Sequence, residues 1–389
     1  MKTDVKNENV KAPDQGDDRL SWRYQDKEYN ESFKEWRKMK QNSIGFYFVE
    51  KPNQLTYQDK VGFIHDYPEA REANVFQRVI TGLGLILMYR VIYDIFTMYF
   101  LPLILEFMGF NIHYTFFSGQ RTGNETLLIT YDLIVQTAGR LIPIAILVKH
   151  IQMPISVMLP TKIHNKPMFR FGVPAIILVT ALCSFMLFFY EGLLSVLHIT
   201  SVRAIMLPKS VGNIIYLIIV QIIIIPIASE LSIHGVILQF TRQFGDGTAL
   251  IITSLILTFV TYDITLLPFT FIISVVIGYF TIRTGSVKTA IVMRIAQRAY
   301  VYALYFIDHL IDESYNQTVI ALFFFLTMVF GLAASVRFFC NHSDKFSLNL
   351  KERYMSVSSK ILTAVTTIPL IAWFTLSFVV TVLNLNFKF

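Results

Sequence analysis

The residues of this 389-residue chain that can do chemistry lie inside hydrophobic runs, not in polar loops. One run, Ile222–Ile227, leads into Ala228-Ser229-Glu230-Leu231-Ser232-Ile233-His234-Gly235. A second ends in Phe259-Val260-Thr261-Tyr262-Asp263, and a third holds Arg294-Ile295-Ala296-Gln297-Arg298. Side chains four apart on a helix are neighbours, so Glu230 shares a face with His234, and Arg294 with Arg298. Two carboxylates, one imidazole and two guanidiniums can therefore converge. Carboxylates and imidazole serve as general bases and as zinc ligands. Guanidinium only donates hydrogen bonds and stays charged. Glu230, Asp263 and His234 as a metal site is set aside, because two permanent cations beside them would repel a divalent ion. No metal and no cofactor is expected. The arrangement expected instead is a charge-balanced polar cluster of Glu230, Asp263, Arg294 and Arg298. Its plainer form is an interhelical ion pair, Glu230 with Arg294, that fixes packing; its functional form is a polar cavity that binds a peptide segment, a lipid headgroup or a partner helix. Arg90 and Asp94 form a local i,i+4 pair, and with Asp132 and Arg140 they are further charges that compete for the same partners.

The elements that position these residues are membrane helices. The chain is 54% hydrophobic with a mean hydropathy of +0.51, and apolar runs of the length that crosses a bilayer recur along it. Nine spans are expected, at about 79–107, 127–149, 173–199, 212–238, 247–263, 265–282, 286–307, 317–338 and 361–385. The fold class is all-α, a polytopic transmembrane helix bundle. Pro226 and Pro268 are candidates for kinks in the fourth and sixth spans.

Around the spans, residues 1–78 form a polar tail: 1–22 read as disordered, and Tyr29, Phe33, Trp36 and Met39 recur at helical spacing among Lys34, Arg37, Lys38 and Lys40. That amphipathic helix suits an anionic leaflet or the protein's own loops equally well. Asp66 before Pro68 reads as a helix cap. No apolar signal region precedes the first span, which is expected to act as both insertion signal and anchor. Residues 79–338 make the bundle, and 339–389 a loop and an extra C-terminal span.

Loop charge sets the expected topology. Lys149, Lys162, Lys166 and Arg170 follow span two, Arg283 and Lys288 follow span six, and Arg337, Lys345, Lys351, Arg353 and Lys360 follow span eight. Between spans seven and eight stand Asp308, Asp312 and Glu313 without a Lys or Arg. By the positive-inside rule the N-terminus is cytoplasmic and the C-terminus outside. The net charge of +7 is accounted for by these loops; no Gly-rich phosphate loop or basic-aromatic stretch points to nucleic acid. Cys183 and Cys340 lie far apart in apolar surroundings and read as packing residues.

The region from about 212 to 303 resembles the CPBP family, named for CAAX proteases and bacteriocin-processing enzymes and also called Abi. That family shows, in order, Glu-Glu-x-x-x-Arg-Gly, Phe-x-x-x-His and His-x-x-x-Asn segments. Here Ser229 through Gly235 sits at the first, followed by Leu238-Gln239 and Phe244-Gly245; Phe259 through Asp263 falls at the second. Gly278-Tyr279-Phe280 and Arg283-Thr284-Gly285-Ser286 resemble the turn leading to the third, which Arg294 through Arg298 occupies. The resemblance implies a helical intramembrane peptidase core in which the first Glu activates water, helped by two His and the Asn. This chain has Ser229 for that Glu, Asp263 for the first His, Arg294 for the second and Arg298 for the Asn, and keeps only the second Glu as Glu230. A serine unaided cannot take a proton from water near neutral pH, and guanidinium groups accept none. The resemblance with these departures implies a catalytically inactive CPBP-like membrane protein, acting as scaffold, chaperone or regulator of a membrane or cell-envelope protein. An active endopeptidase with a rearranged site, and a transporter or lipid-handling protein, are the alternatives. The expected location is the plasma membrane, with an Ile-, Lys- and Asn-rich composition compatible with an AT-rich bacterium.

Overall fold

The computed structural model describes residues 25–48, 55–58, 62–65, 67–115, 120–196, 198–201, 207–347, 350 and 352–387. The stretch 1–22 and the Asp66 cap lie outside the described residues. Twelve helical elements carry the fold: α1 Lys27–Lys38, α2 Pro68–Phe107, α3 Glu125–Ile151, α4 Ile155–Met158, α5 Lys166–Val196, α6 Val211–Phe244, α7 Asp246–Phe259, α8 Leu267–Thr284, α9 Val287–Leu310, α10 Ser314–Lys345, α11 Val357–Val365 and α12 Ile368–Leu383. Three two-stranded antiparallel ribbons accompany them: β1 Leu55–Gln58 with β2 Gly62–His65, β3 Ile112–Thr115 with β4 Gln120–Gly123, and β5 Ile199–Ser201 with β6 Leu385–Phe387.

Helix starts follow from local chemistry. Asn124 caps α3 by accepting from Leu127 N at 3.1 Å, Ser210 caps α6 through Asn213 N at 3.2 Å, and Ser356 caps α11 through Ser359 N at 3.2 Å. Pro68 and Pro268 both stand in the first turn of their helices, where a missing N–H costs nothing. Pro268 therefore starts α8 and does not kink it. Pro226 does disturb α6: a π-helical stretch, Ile219–Ile224, ends just before it, and Pro102 follows a similar stretch, Phe96–Phe100, in α2. A proline leaves the upstream carbonyl without its usual donor, and widening the preceding turn accommodates this.

Each of the nine expected spans falls on helix, but they are not alike. Six helices (α2, α3, α5, α6, α8 and α10) are long and apolar enough to cross a membrane. The pair α11 and α12, bent by 72°, makes a seventh if taken as one span. The segment at 247–263 is the 14-residue α7, and α9 carries Lys288, Arg294, Arg298 and Asp308 along its 24 residues. Long helices whose large apolar side chains face outward need a nonaqueous surround. On α10, Leu322, Phe325, Leu326, Val329 and Phe330 are all more than 45% exposed. The chain is an integral membrane protein in a lipid bilayer.

The connections gather at two ends of the bundle. At one end His164 N donates to Thr284 O (3.0 Å) and Val287 N to Pro160 O (2.8 Å), tying the connection after α3 to the one after α8. The Glu352 carboxylate accepts from Thr248 N (2.8 Å), and Lys360 Nζ reaches Glu72 (2.9 Å), Glu352 (3.1 Å) and the Phe244 carbonyl (2.5 Å). Lys360 and Glu72 are completely buried, so a lysine that reads as a loop charge is part of an internal ionic lock. At the other end β5 pairs with β6, and Asn384 joins Tyr99 (3.0 Å) to the Tyr262 carbonyl (3.2 Å). The connections rich in Lys and Arg share the first end; those after α5 and α7 share the second with the last residues of α12.

Helix α1 docks on the first end. Phe33 and Trp36 are at most 1% exposed and Tyr29 is 7% exposed. Trp36 Nε1 donates to Ile151 O (3.0 Å), Tyr29 Oη to Gln239 (2.8 Å) and Gln25 Nε2 to Gly285 O (3.1 Å), while Lys162 pairs with Asp26 (2.9 Å). Burial pushes the Tyr29 phenol up to about 12. Of the two uses open to an amphipathic helix here, the apolar stripe is spent on the protein itself, on the ends of α3 and α6 and on α4.

Candidate functional site

Helix α6 runs between α3 and α9, and its middle third brings Ser229, Glu230 and His234 against α9 and α8. Glu230 is completely buried. Its Oε1 accepts from Arg294 Nε at 2.5 Å, and its Oε2 accepts from His234 Nδ1, one turn further along the same helix. Facing a carboxylate, the Nδ1 of the imidazole carries a proton in this contact. His234 is itself completely buried, and Nε2 has no hydrogen-bond partner among the described residues. The ring lies against Gly278 of α8, where an added Cβ would stand 2.5 Å from Leu250 Cδ1 of α7 and 3.3 Å from both Cδ2 and Nε2 of His234. Gly278 therefore lets α8 close over both Leu250 and the histidine; its signal in the sequence was the Gly278-Tyr279-Phe280 run of the family resemblance.

Arg294 is 9% exposed at its side chain, and its Nη2 is buried without a partner among the described residues. Ser229 is buried beside Glu230. Ser232 stitches α6 to α3 by donating to Arg140 O (3.0 Å) and to Ala228 O within its own helix (2.8 Å). The turn here, Leu231–Ile237, is π-helical, and Gly235 in it makes room for Leu159, whose Cδ2 would lie 2.6 Å from an added Cβ. Because α6 continues to Phe244, Glu230 lies 14 residues from its end, deeper along the helix than a span ending at 238 implies. The depth within the bundle is set instead by α9, where Arg294 is seven residues beyond Val287, about 10 Å of rise.

Two residues of the expected cluster behave differently. Asp263 lies in the turn between α7 and α8, and its Oδ1 accepts from Thr265 N (2.9 Å) and Thr265 Oγ1 (2.6 Å). From the start of α8 to Gly278, which touches His234, is 11 residues or about 17 Å of rise, so Asp263 sits at the far end of the bundle and outside the Glu230 set. The reason is local: α7 stops at Phe259 and Tyr262 takes a left-handed φ of 50°, which turns the chain before Asp263 can face inward. Arg298 is one turn beyond Arg294, half-buried, with no hydrogen bond or ion pair among the described residues.

The other intramembrane charges are placed as follows. Arg90 pairs with Asp94 (3.5 Å), which also accepts from Tyr262 Oη (2.9 Å). Asp132 pairs with Arg121 of β4 (3.1 Å), and the Arg140 guanidinium donates, among the described residues, to Gln136 O (2.8 Å) and Gln136 Oε1 (3.3 Å). The Tyr262–Asp94 and Arg121–Asp132 contacts span 168 and 11 positions and leave no periodic trace in the sequence. Among the described residues no group of three or more His, Cys, Asp and Glu side chains is placed to hold a metal ion.

Neither the curated proteins nor the solved structures compared with the chain gave a match. One family model does match, over residues 211–300, which takes in α6 through the first half of α9 and with it the Glu230, His234 and Arg294 contacts. The matching model is that of the Rce1-like type II CAAX prenyl endopeptidases, a CPBP family, and residues 211–300 of this chain are similar to it.

Proposed function

We propose that this chain uses the CPBP core without peptidase chemistry, as an inactive membrane scaffold or regulator of a membrane or cell-envelope protein. The observation that carries the reading is the Glu230 carboxylate. Both of its oxygens are engaged, one by Arg294 and one by His234, and the group is sealed from solvent. A general base has to reach the water or the proton it takes, and this one reaches neither. The neighbouring position, where the family's first Glu would stand, is Ser229, and the positions of the second His and the Asn are Arg294 and Arg298. Guanidinium groups there donate but cannot accept a proton. In this reading no metal or cofactor takes part. The clustering of Lys- and Arg-rich connections with α1 at one end supports placing that end and the N-terminus in the cytoplasm, with the C-terminus outside.

The Glu230–His234 pair favours a second reading. A carboxylate that holds Nδ1–H leaves Nε2 as a base, which is how histidine is activated in hydrolases. Against it, Nε2 faces the backbone of Gly278 and has no open approach. The two are separated by incubating the protein in liposomes with prenylated, C-terminally tailed peptides. No cleavage above that of Glu230→Gln and His234→Ala variants is expected; cleavage that both substitutions abolish would establish the rearranged peptidase.

A further inference from the structure

Four arginines, Arg90, Arg140, Arg294 and Arg298, stand well inside α2, α3 and α9, and the acids near them do not balance them. Asp94 is taken by Arg90 and Glu230 by Arg294, while Asp132 is taken by Arg121 at the edge of the bundle. Arg140 and Arg298 are left without a carboxylate in ion-pair contact among the described residues. Both are near mid-helix: Arg298 is 11 residues from Val287 and 12 from Leu310, and Arg140 is 15 from Glu125 and 11 from Ile151.

Both stand on helices that pack on α6. Arg140 lies at helical spacing on the α3 face that carries Ile129, Leu133 and Gln136, and Arg298 on the α9 face that carries Ile295 and Tyr302. Ile129 and Tyr302 pack in one cluster with the Leu217–Ile225 stretch of α6, and Leu133 and Ile295 pack against it. The charges acting most on Arg140 are those of Arg90, Arg298, Asp94 and Arg294, in that order, three positive and one negative. Arg294 adds Nη2, an N–H group that is buried and unpartnered.

We propose that Arg140, Arg298 and the Nη2 of Arg294 form a binding site for an oxyanion, a phosphate or carboxylate group. Guanidinium is the side chain suited to this, because its planar fork matches an oxyanion with two parallel hydrogen bonds. Leu133, Ile225 and Ile295 pack in or against the same apolar cluster on these helix faces, which fits an oxyanion carried on an apolar chain. It rests on the charge distribution and not on whether the core is catalytically inactive, since its readout is binding and not cleavage.

The test follows the thermal midpoint of the purified full chain in neutral detergent. Oleate, methyl oleate, phosphatidic acid, phosphatidylcholine and inorganic phosphate are titrated against wild type, Arg140→Gln, Arg298→Gln and, as a surface control, Lys288→Gln. Oleate or phosphatidic acid should raise the midpoint of wild type and of Lys288→Gln, and methyl oleate should not. Either arginine substitution should weaken the apparent affinity about tenfold or more, the loss of one charged hydrogen-bonding group. An equal response to inorganic phosphate assigns the site to a free anion, and a response confined to the amphiphiles assigns it to a lipid. Without ligand, Arg298→Gln should not lower the midpoint, because the guanidinium it removes has no internal partner. A lowered unliganded midpoint, the same response in the arginine variants as in wild type, or no response to any oxyanion would overturn the proposal.

Discussion

Breaking the Glu230–Arg294 contact from either side should destabilise the protein, and breaking it from both sides should restore most of the loss. Glu230→Gln leaves the Arg294 guanidinium 9% exposed, one turn from Arg298, with no compensating charge. Removing one member of a buried pair costs about 3–5 kcal/mol. The low end is expected, because the glutamine carbonyl can still accept from Arg294 Nε. Arg294→Met leaves a carboxylate whose remaining contact is His234, again an under-compensated charge. The double variant Glu230→Gln/Arg294→Met removes both charges, keeps the volume, and should lie near wild type. With each single variant at about 3 kcal/mol and the double near zero, the coupling expected from the cycle is about 6 kcal/mol, and each single variant should lower the thermal midpoint by about 4 °C. Tryptophan fluorescence in neutral detergent reads this, since Trp36 and Trp373 are buried. Additive losses in the double variant would show that the two groups do not stabilise each other. Asp94 and Asp132 already hold arginines, so an additive result would leave a bound anion as the counter-charge of Arg294.

Other consequences are open to direct measurement. A reporter fused after residue 312 should report an outside location and one after residue 350 a cytoplasmic location; the reverse pair would mean that the helices before that loop cross differently. Elemental analysis of the purified chain should find no stoichiometric zinc, and about one zinc per chain, lost on His234→Ala, would refute the inactive reading. Trp36→Ala removes a fully buried indole and its bond to Ile151 O, worth about 3–5 kcal/mol locally. Limited proteolysis should then cut near α1 in the variant and spare wild type; equal cutting would show that α1 does not depend on this contact.

The membrane class, the helical positions and the likeness of residues 212–303 to one family were legible in the sequence because each rests on local information: apolar length, turn residues and motif order. Both partners of the Glu230–Arg294 contact were legible for the same reason, since charges inside apolar runs are rare and have few ways to be satisfied. What tertiary structure decided was which charge meets which. Asp263 reads as one of the inward-facing acids, but the short α7 and the left-handed turn at Tyr262 put it at the far end. Lys360 reads as a loop charge, but Glu72, 288 positions earlier, and Glu352 draw it into the interior. Arg298 reads as a member of a charge-balanced set and Arg140 as a charge competing for its partners, but Asp263 lies at the far end and Asp132 is taken by Arg121 from a ribbon that carries no helical periodicity. Ion pairs form between groups that the packing of helices brings within a few ångströms, and that packing depends on side-chain shape along whole faces. Helical periodicity tells which face a residue is on and not which helix lies opposite, so the leftover positive charge became visible only once the bundle was assembled.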